Sequence, residues 1–174
     1  MAVCDWISGA VEKTCDNNIG GLKKVYVALK TDVTSTALSS PGGEIGTITM
    51  NGLATFFEIE LTRNTSFFTE NENNEEANGT QLITQSLTVV LNRREKTKRD
   101  QLILMGRFRE LVFIVTDSND INWYLGEENG MMLTTNEGGS GTTKADPNRY
   151  TLVFVGQEPQ LANTVTDAAL ASAI

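Results

Sequence analysis

Apolar and polar side chains alternate along residues 80–91 (TQLITQSLTVVL). Ile83, Leu87, Val89 and Leu91 share one face, and Thr84, Ser86 and Thr88 the other. A period of two predicts a half-buried β-strand, although Gln85 interrupts its apolar face. The pattern then changes. Asn92 followed three residues later by Glu95 has the form of a helix start, with Asn as the cap. A helix is predicted over 92–106, stopped by Gly106. Residues 111–115 (LVFIV) are apolar throughout and rich in β-branched side chains, which marks a strand buried on both faces. A turn at 117–120 (DSND) leads to a further strand at 121–125 (INWYL).

The same alternation recurs in residues 22–30 (LKKVYVALK), the first strand. In 55–63 (TFFEIELTR), Phe57, Ile59 and Leu61 are expected to face the core, with Glu58, Glu60 and Thr62 facing away. A short strand at 47–50 precedes Asn51 and Gly52, a hairpin dipeptide. Residues 150–156 (YTLVFVG) make the last strand, closed off by Pro159. Between these lie a Ser/Thr/Gly loop at 31–46, an acidic Asn-rich loop at 64–79 and a Gly/Ser/Thr loop at 134–149. Residues 1–21 read as an N-terminal arm, and the Ala-rich residues 160–174 as a weakly structured C-terminal arm. The expected architecture is a mainly β domain over 22–159, a β-sandwich or β-barrel of six to eight strands with one flanking α-helix.

Composition narrows the function classes. A chain of 174 residues, 40% hydrophobic and 21% charged, suits one folded domain with a sizeable core. No apolar run approaches the roughly 20 residues of a membrane span, so no membrane partner is expected. Asp5 interrupts the only early apolar stretch and no basic segment precedes it. Synthesis in a cytoplasm is therefore expected. The net charge of −8 argues against tight nucleic-acid binding by the whole surface. It suits a surface past which nucleic acid slides, and equally one kept soluble by its charge. There is no histidine, and there are only two cysteines, Cys4 and Cys15. A four-ligand zinc site and an imidazole-activated nucleophile both lack their parts. Cys4 and Cys15 are open to pairing or to remaining free thiols, and a cytosolic origin favours the thiols. Neither a cofactor nor a metal is expected.

Several clusters admit more than one chemistry. The basic run 93–99 (RREKTKR) reads as a solvated helix face, with Glu95 and Arg99 as an ordinary pair, or as a phosphate site. A third reading has Arg93, Arg94 and Lys96 meeting the acidic residues Glu70, Glu72, Glu75 and Glu76 of a neighbouring copy. Phe67, next to Phe68, is either an interface anchor or the twisted end of a strand. Glu58 and Glu60 share a strand face as a two-carboxylate hydrolase requires, but a solvated sheet surface is the simpler account. Residues 117–120 lack the glycine and closing glutamate of a calcium loop. Residues 138–141 (GGSG) lack the Lys-Ser/Thr of a phosphate loop. The expectation is therefore of a protein that is not an enzyme.

The order of these features carries a resemblance. A polar-faced long strand, a helix, LVFIVTD, WYLGEENG, a Gly/Thr-rich loop, DPNRYTLVF and the closing GQEP follow one another. Together with the Cys-bearing arm and the Gly-Gly-Leu before the first strand, this resembles the tail-tube-like virion proteins of tailed bacteriophages, the crAss-like and related phages among them. The resemblance covers residues 4–159. It implies a self-assembling ring, hexameric or higher, whose inner strands line a channel for DNA without binding it specifically. Neighbouring tail or connector proteins would be further partners, and the virion the location. Stacked rings make a tail tube, and a single ring sits at the head–tail joint. The family offers no catalytic residues to carry over. Under this resemblance Glu58, Glu60, Thr62, Thr84, Ser86 and Thr88 become candidates to face the lumen. Phe67, the four acidic residues and the three basic ones become candidates for contacts between subunits. A capsid decoration or adhesion module built on a β-sandwich is the alternative.

Overall fold

The computed structural model describes residues 11, 18–40, 43–75, 77 and 79–174. Cys4, Cys15, Glu76 and most of the N-terminal arm lie outside these residues. The described chain forms β1 (Leu22–Leu29), a short 3-10 turn (Lys30–Asp32), β2 (Val33–Ser40), β3 (Glu44–Met50), β4 (Phe57–Ile59), β5 (Phe67–Glu75) and β6 (Thr80–Asn92). Then come α1 (Lys96–Arg107), β7 (Leu111–Asp117), β8 (Asn122–Leu125), β9 (Met131–Gly139), β10 (Arg149–Glu158), β11 (Asn163–Val165) and α2 (Asp167–Ala173). The protein is mainly β, as the alternation predicts, with eleven strands in one mixed sheet rather than six to eight.

The strand order is β2-β3-β11-β8-β7-β9-β10-β6-β5, with β1 pairing both β7 and β4. The sheet folds over where β7 meets β9 through the single pair Leu111 and Met131. Two layers, β4-β1-β7-β8 and β9-β10-β6-β5, thereby enclose the larger core. Val25, Val27, Phe113 and Val115 meet Leu87, Val89, Leu152 and Phe154 there, and the rings of Phe113 and Phe154 lie 4.7 Å apart. Alternate residues of the first layer point the other way. Tyr26, Ala28, Val112, Ile114 and Tyr124 form a second core with Ile45 and Ile48 of β3, Phe56, and Ala169 and Ala173 of α2. This is why residues 111–115 are apolar without a break: each face of β7 supplies one core.

Several sequence expectations are corrected. The loop expected at 31–46 is largely strand, because β2 pairs with β3 and the register shifts three times. Ser and Thr conceal this edge strand because few of its side chains are buried. Gly52 does sit in a turn, at φ 62, but β3 and β4 do not pair across it. The strand expected over 55–63 shrinks to Phe57–Ile59. Phe57 is 69% exposed, while Phe56 fills the second core. Residues 134–139 of the loop expected at 134–149 belong to strand β9. The C-terminal residues are no loose arm: β11 joins β8 to β3, and Ala173 O accepts the Phe56 N–H at 2.8 Å.

The helix begins later than the Asn92 signal suggests. Asn92 ends β6, paired with Arg149, and Arg93 turns the chain with φ 53. Glu95 occupies the cap position without a side-chain capping bond. Gly106 lies inside the helix, which Phe108 ends. Leu102 is the buried residue of α1, whereas Ile103 and Leu104 are 40% and 45% exposed.

Candidate functional site

Most of the loop expected at 64–79 is instead the edge strand β5, paired with β6 from Phe67 opposite Thr88 to Glu75 opposite Thr80. No apolar side is required of a strand whose outer half is solvated on both faces. Pairing of β5, β6, β10 and β9 sets side chains in rows across the open face. Thr88 lies between Phe67 and Val153, Ser86 between Thr69 and Val155, and Thr84 between Asn71 and Gln157. On β9, Thr135 and Met132 extend the first two rows. Thr84, Ser86 and Thr88 are half-buried, and none of the three rows contains a charge. The same strands present the opposite side to the larger core.

A buried polar knot ties the two layers at one end of β6. Gln85, 1% exposed, donates through Nε2 to Glu70 Oε1 at 3.0 Å and accepts the Gly126 N–H through Oε1 at 2.9 Å. Glu70 Oε1 also accepts the Ala162 N–H at 2.8 Å. Glu158, 2% exposed, accepts the backbone N–H groups of Glu128 and Asn129 at 2.9 and 3.0 Å. Glu127 accepts from Thr36 Oγ1 at 2.8 Å and from Asn163 Nδ2 at 2.6 Å. The turn held here needs glycine at Gly126 and Gly130, whose φ values are 76 and 75 and whose missing Cβ atoms would strike neighbours at about 3 Å or less. Burial pushes the Glu158 carboxyl above its usual range, and the two amide donors counter it in part. Burial, with the charges of Glu127 and Glu158, also holds the Tyr124 phenol far above its usual range.

The other end of β6 is basic. Arg94 lies over the Tyr150 ring, 5.2 Å from its centre. Lys96 and Arg99 share Asp100 at 2.6 and 3.1 Å, and Arg93 and Lys98 share Glu95 at 3.6 and 3.7 Å. Beside α1 an apolar groove of about 570 Å³ opens between Phe57, Ile59, Val27, Leu102, Met105 and Leu152.

The structure brings some sequence candidates together and separates others. Thr84, Ser86 and Thr88 share the open face. Glu58 and Glu60 do not join them: they are exposed residues at β4 that line the groove beside α1, in the other layer. Thr62 runs beside β6, donating its N–H to Val90 O, with its Oγ1 buried and unpartnered among the described residues. One channel wall therefore cannot include all six. Glu70 is committed within the chain, and Glu72 Oε1 accepts from Asn74 and Gln81 at 3.0 and 2.7 Å. Glu75 is exposed. Phe67, 51% exposed, stands at the edge of the open face, while Phe68 packs against Trp123. Sequence reasoning missed the knot, although Gln85 on an otherwise apolar strand face was its signal. Among the described residues, no three Cys, Asp or Glu are placed to hold a metal ion, and no helix is long and apolar enough to cross a membrane.

No family model, curated protein or solved structure matches the chain.

Proposed function

We propose that this chain is a structural virion protein, the ring-forming subunit of a bacteriophage tail tube or neck that lets DNA pass. The observation that supports this reading most is the open face of β5, β6, β10 and β9. Hydroxyl, amide and apolar side chains, Phe67 and Met132 among them, share the three rows with no Lys or Arg. The three rows themselves offer phosphates no counter-charge, with Arg109 beside Met132, Val155 and Gln157 and Arg149 opposite Asn92 as the cations at their margins, so DNA slides past the rows without sticking. The net charge of −8 acts in the same direction. Strands β5 and β2 end the strand order among the described residues, and edge strands offer backbone groups with which a neighbouring copy can pair. Thr84, Ser86 and Thr88 are the residues assigned to the lumen.

Sedimentation velocity and negative-stain electron microscopy of the purified protein test the reading. Closed rings with a central hole are expected, six copies or more. A strict monomer at high concentration overturns it. Monomers or trimers that bind preformed capsids would establish the decoration module instead.

A further inference from the structure

We propose that the acidic hairpin end of one copy docks on the basic α1 end of a second copy, head to tail along β6. Strand β6 starts beside Glu72 and Glu75 and ends at Asn92, next to Arg93 and Arg94. Thirteen residues at about 3.3 Å each separate the two ends by roughly 40 Å. The charges therefore cannot meet within one subunit, nor between copies set side by side in the same orientation. They meet when the second copy is translated along the strand.

Each end is built to want a partner. Of the five cations on residues 93–99, four share the two carboxylates Glu95 and Asp100 and Arg94 lies over Tyr150, while Arg149 adds a sixth charge across from Asn92. Helix α1 begins at this end, with Glu95 at its cap position and no acid in its first turn. At the far end the β5–β6 ribbon runs past β10, which stops at Glu158 opposite Ile83. Its backbone pairing from Thr84 to Thr80 holds the exposed Glu72 and Glu75 on opposite faces of a defined ribbon, with Glu72 Oε1 accepting from Asn74 and Gln81. The apolar groove at Leu102, lined by Lys98 but also by Glu58 and Glu60, lies beside this end and is left outside the joint. Because the two surfaces differ, the contact is open-ended and repeats, which favours stacked rings over a single one.

The inference rests on the reading that copies of this chain assemble, and a mixing experiment separates the two. One variant carries Glu72→Lys and Glu75→Lys, and the other Arg93→Glu and Arg94→Glu. Each alone should lose axial association at least about tenfold, while an equimolar mixture should regain it. Association of the wild type should weaken as salt rises from 0.05 to about 0.5 M, where screening shortens below the Debye length of about 10 Å at 0.1 M. Rings that persist without stacking in each single variant, and stack in the mixture, support both readings. Rings that stack unchanged in every variant overturn the inference alone. Open head-to-tail chains without rings support it and overturn the ring. A basic end that instead captures a duplex oligonucleotide, with association unchanged by reversal, also overturns it.

Discussion

Gln85 Oε1 accepts the Gly126 backbone N–H at 2.9 Å, which joins strand β6 to the turn that follows β8. The same side chain donates to Glu70, so one buried amide bridges β5 and both layers of the sheet. Replacing it by Leu matches the apolar neighbours but strands the Gly126 donor. Gln85→Leu is expected to cost about 1–3 kcal/mol, measured by urea denaturation. A variant as stable as wild type would remove the knot from the account.

Glu158 gives that knot a pH dependence. Its folded-state pKa is raised, mainly by burial, so the folded form holds the proton more tightly than the unfolded chain. This contribution to stability is fully present below the ordinary glutamate value of about 4.3. It is lost as pH rises from there through the raised value. Glu158→Gln cannot titrate. The stability of wild type minus that of Glu158→Gln should therefore fall over this window and level off above it. Denaturation midpoints at half-unit pH steps measure the difference, and a difference that rises with pH contradicts the assignment.

Thr62 is the opposite case. Its buried hydroxyl has no partner among the described residues, so the group costs stability without returning any. Thr62→Val should leave stability unchanged or raise it by up to about 1 kcal/mol. A clear loss in thermal denaturation would mean that the hydroxyl is satisfied.

The C-terminal residues yield a sharper test. Ala173 is fully buried in the second core, and its carbonyl accepts the Phe56 N–H. An aspartate there buries an unpaired charge, and Ala173→Asp should cost about 3 kcal/mol or more. Free in solution, the segment would tolerate the change, and calorimetry would show no shift.

What was legible in the sequence follows from which faces are buried. Strand β6 has one apolar side and β7 has two, and both patterns stand in the residues themselves. Strands β5 and β2 lie at the ends of the sheet, held by backbone bonds that any side chain permits. Asn, Glu, Ser and Thr therefore masked them as loops. Helix α2 packs through alanines, whose small apolar faces imitate a solvated tail. The Asn92 and Glu95 pair has the form of a helix cap, but β6 claims Asn92 for its pairing with Arg149. The candidate lumen residues divided because β4 and β6 belong to different layers, a separation that alternation along a single strand does not encode.

Electron cryomicroscopy of assembled Ser86→Cys protein, with Cys4 and Cys15 both replaced by Ser so that one thiol carries the gold-maleimide label, tests the central claim most directly. The account predicts rings with the label density inside the central hole, one site per subunit. Label on the outer wall, or labelled protein that forms no ring where the unlabelled protein forms none either, would contradict it.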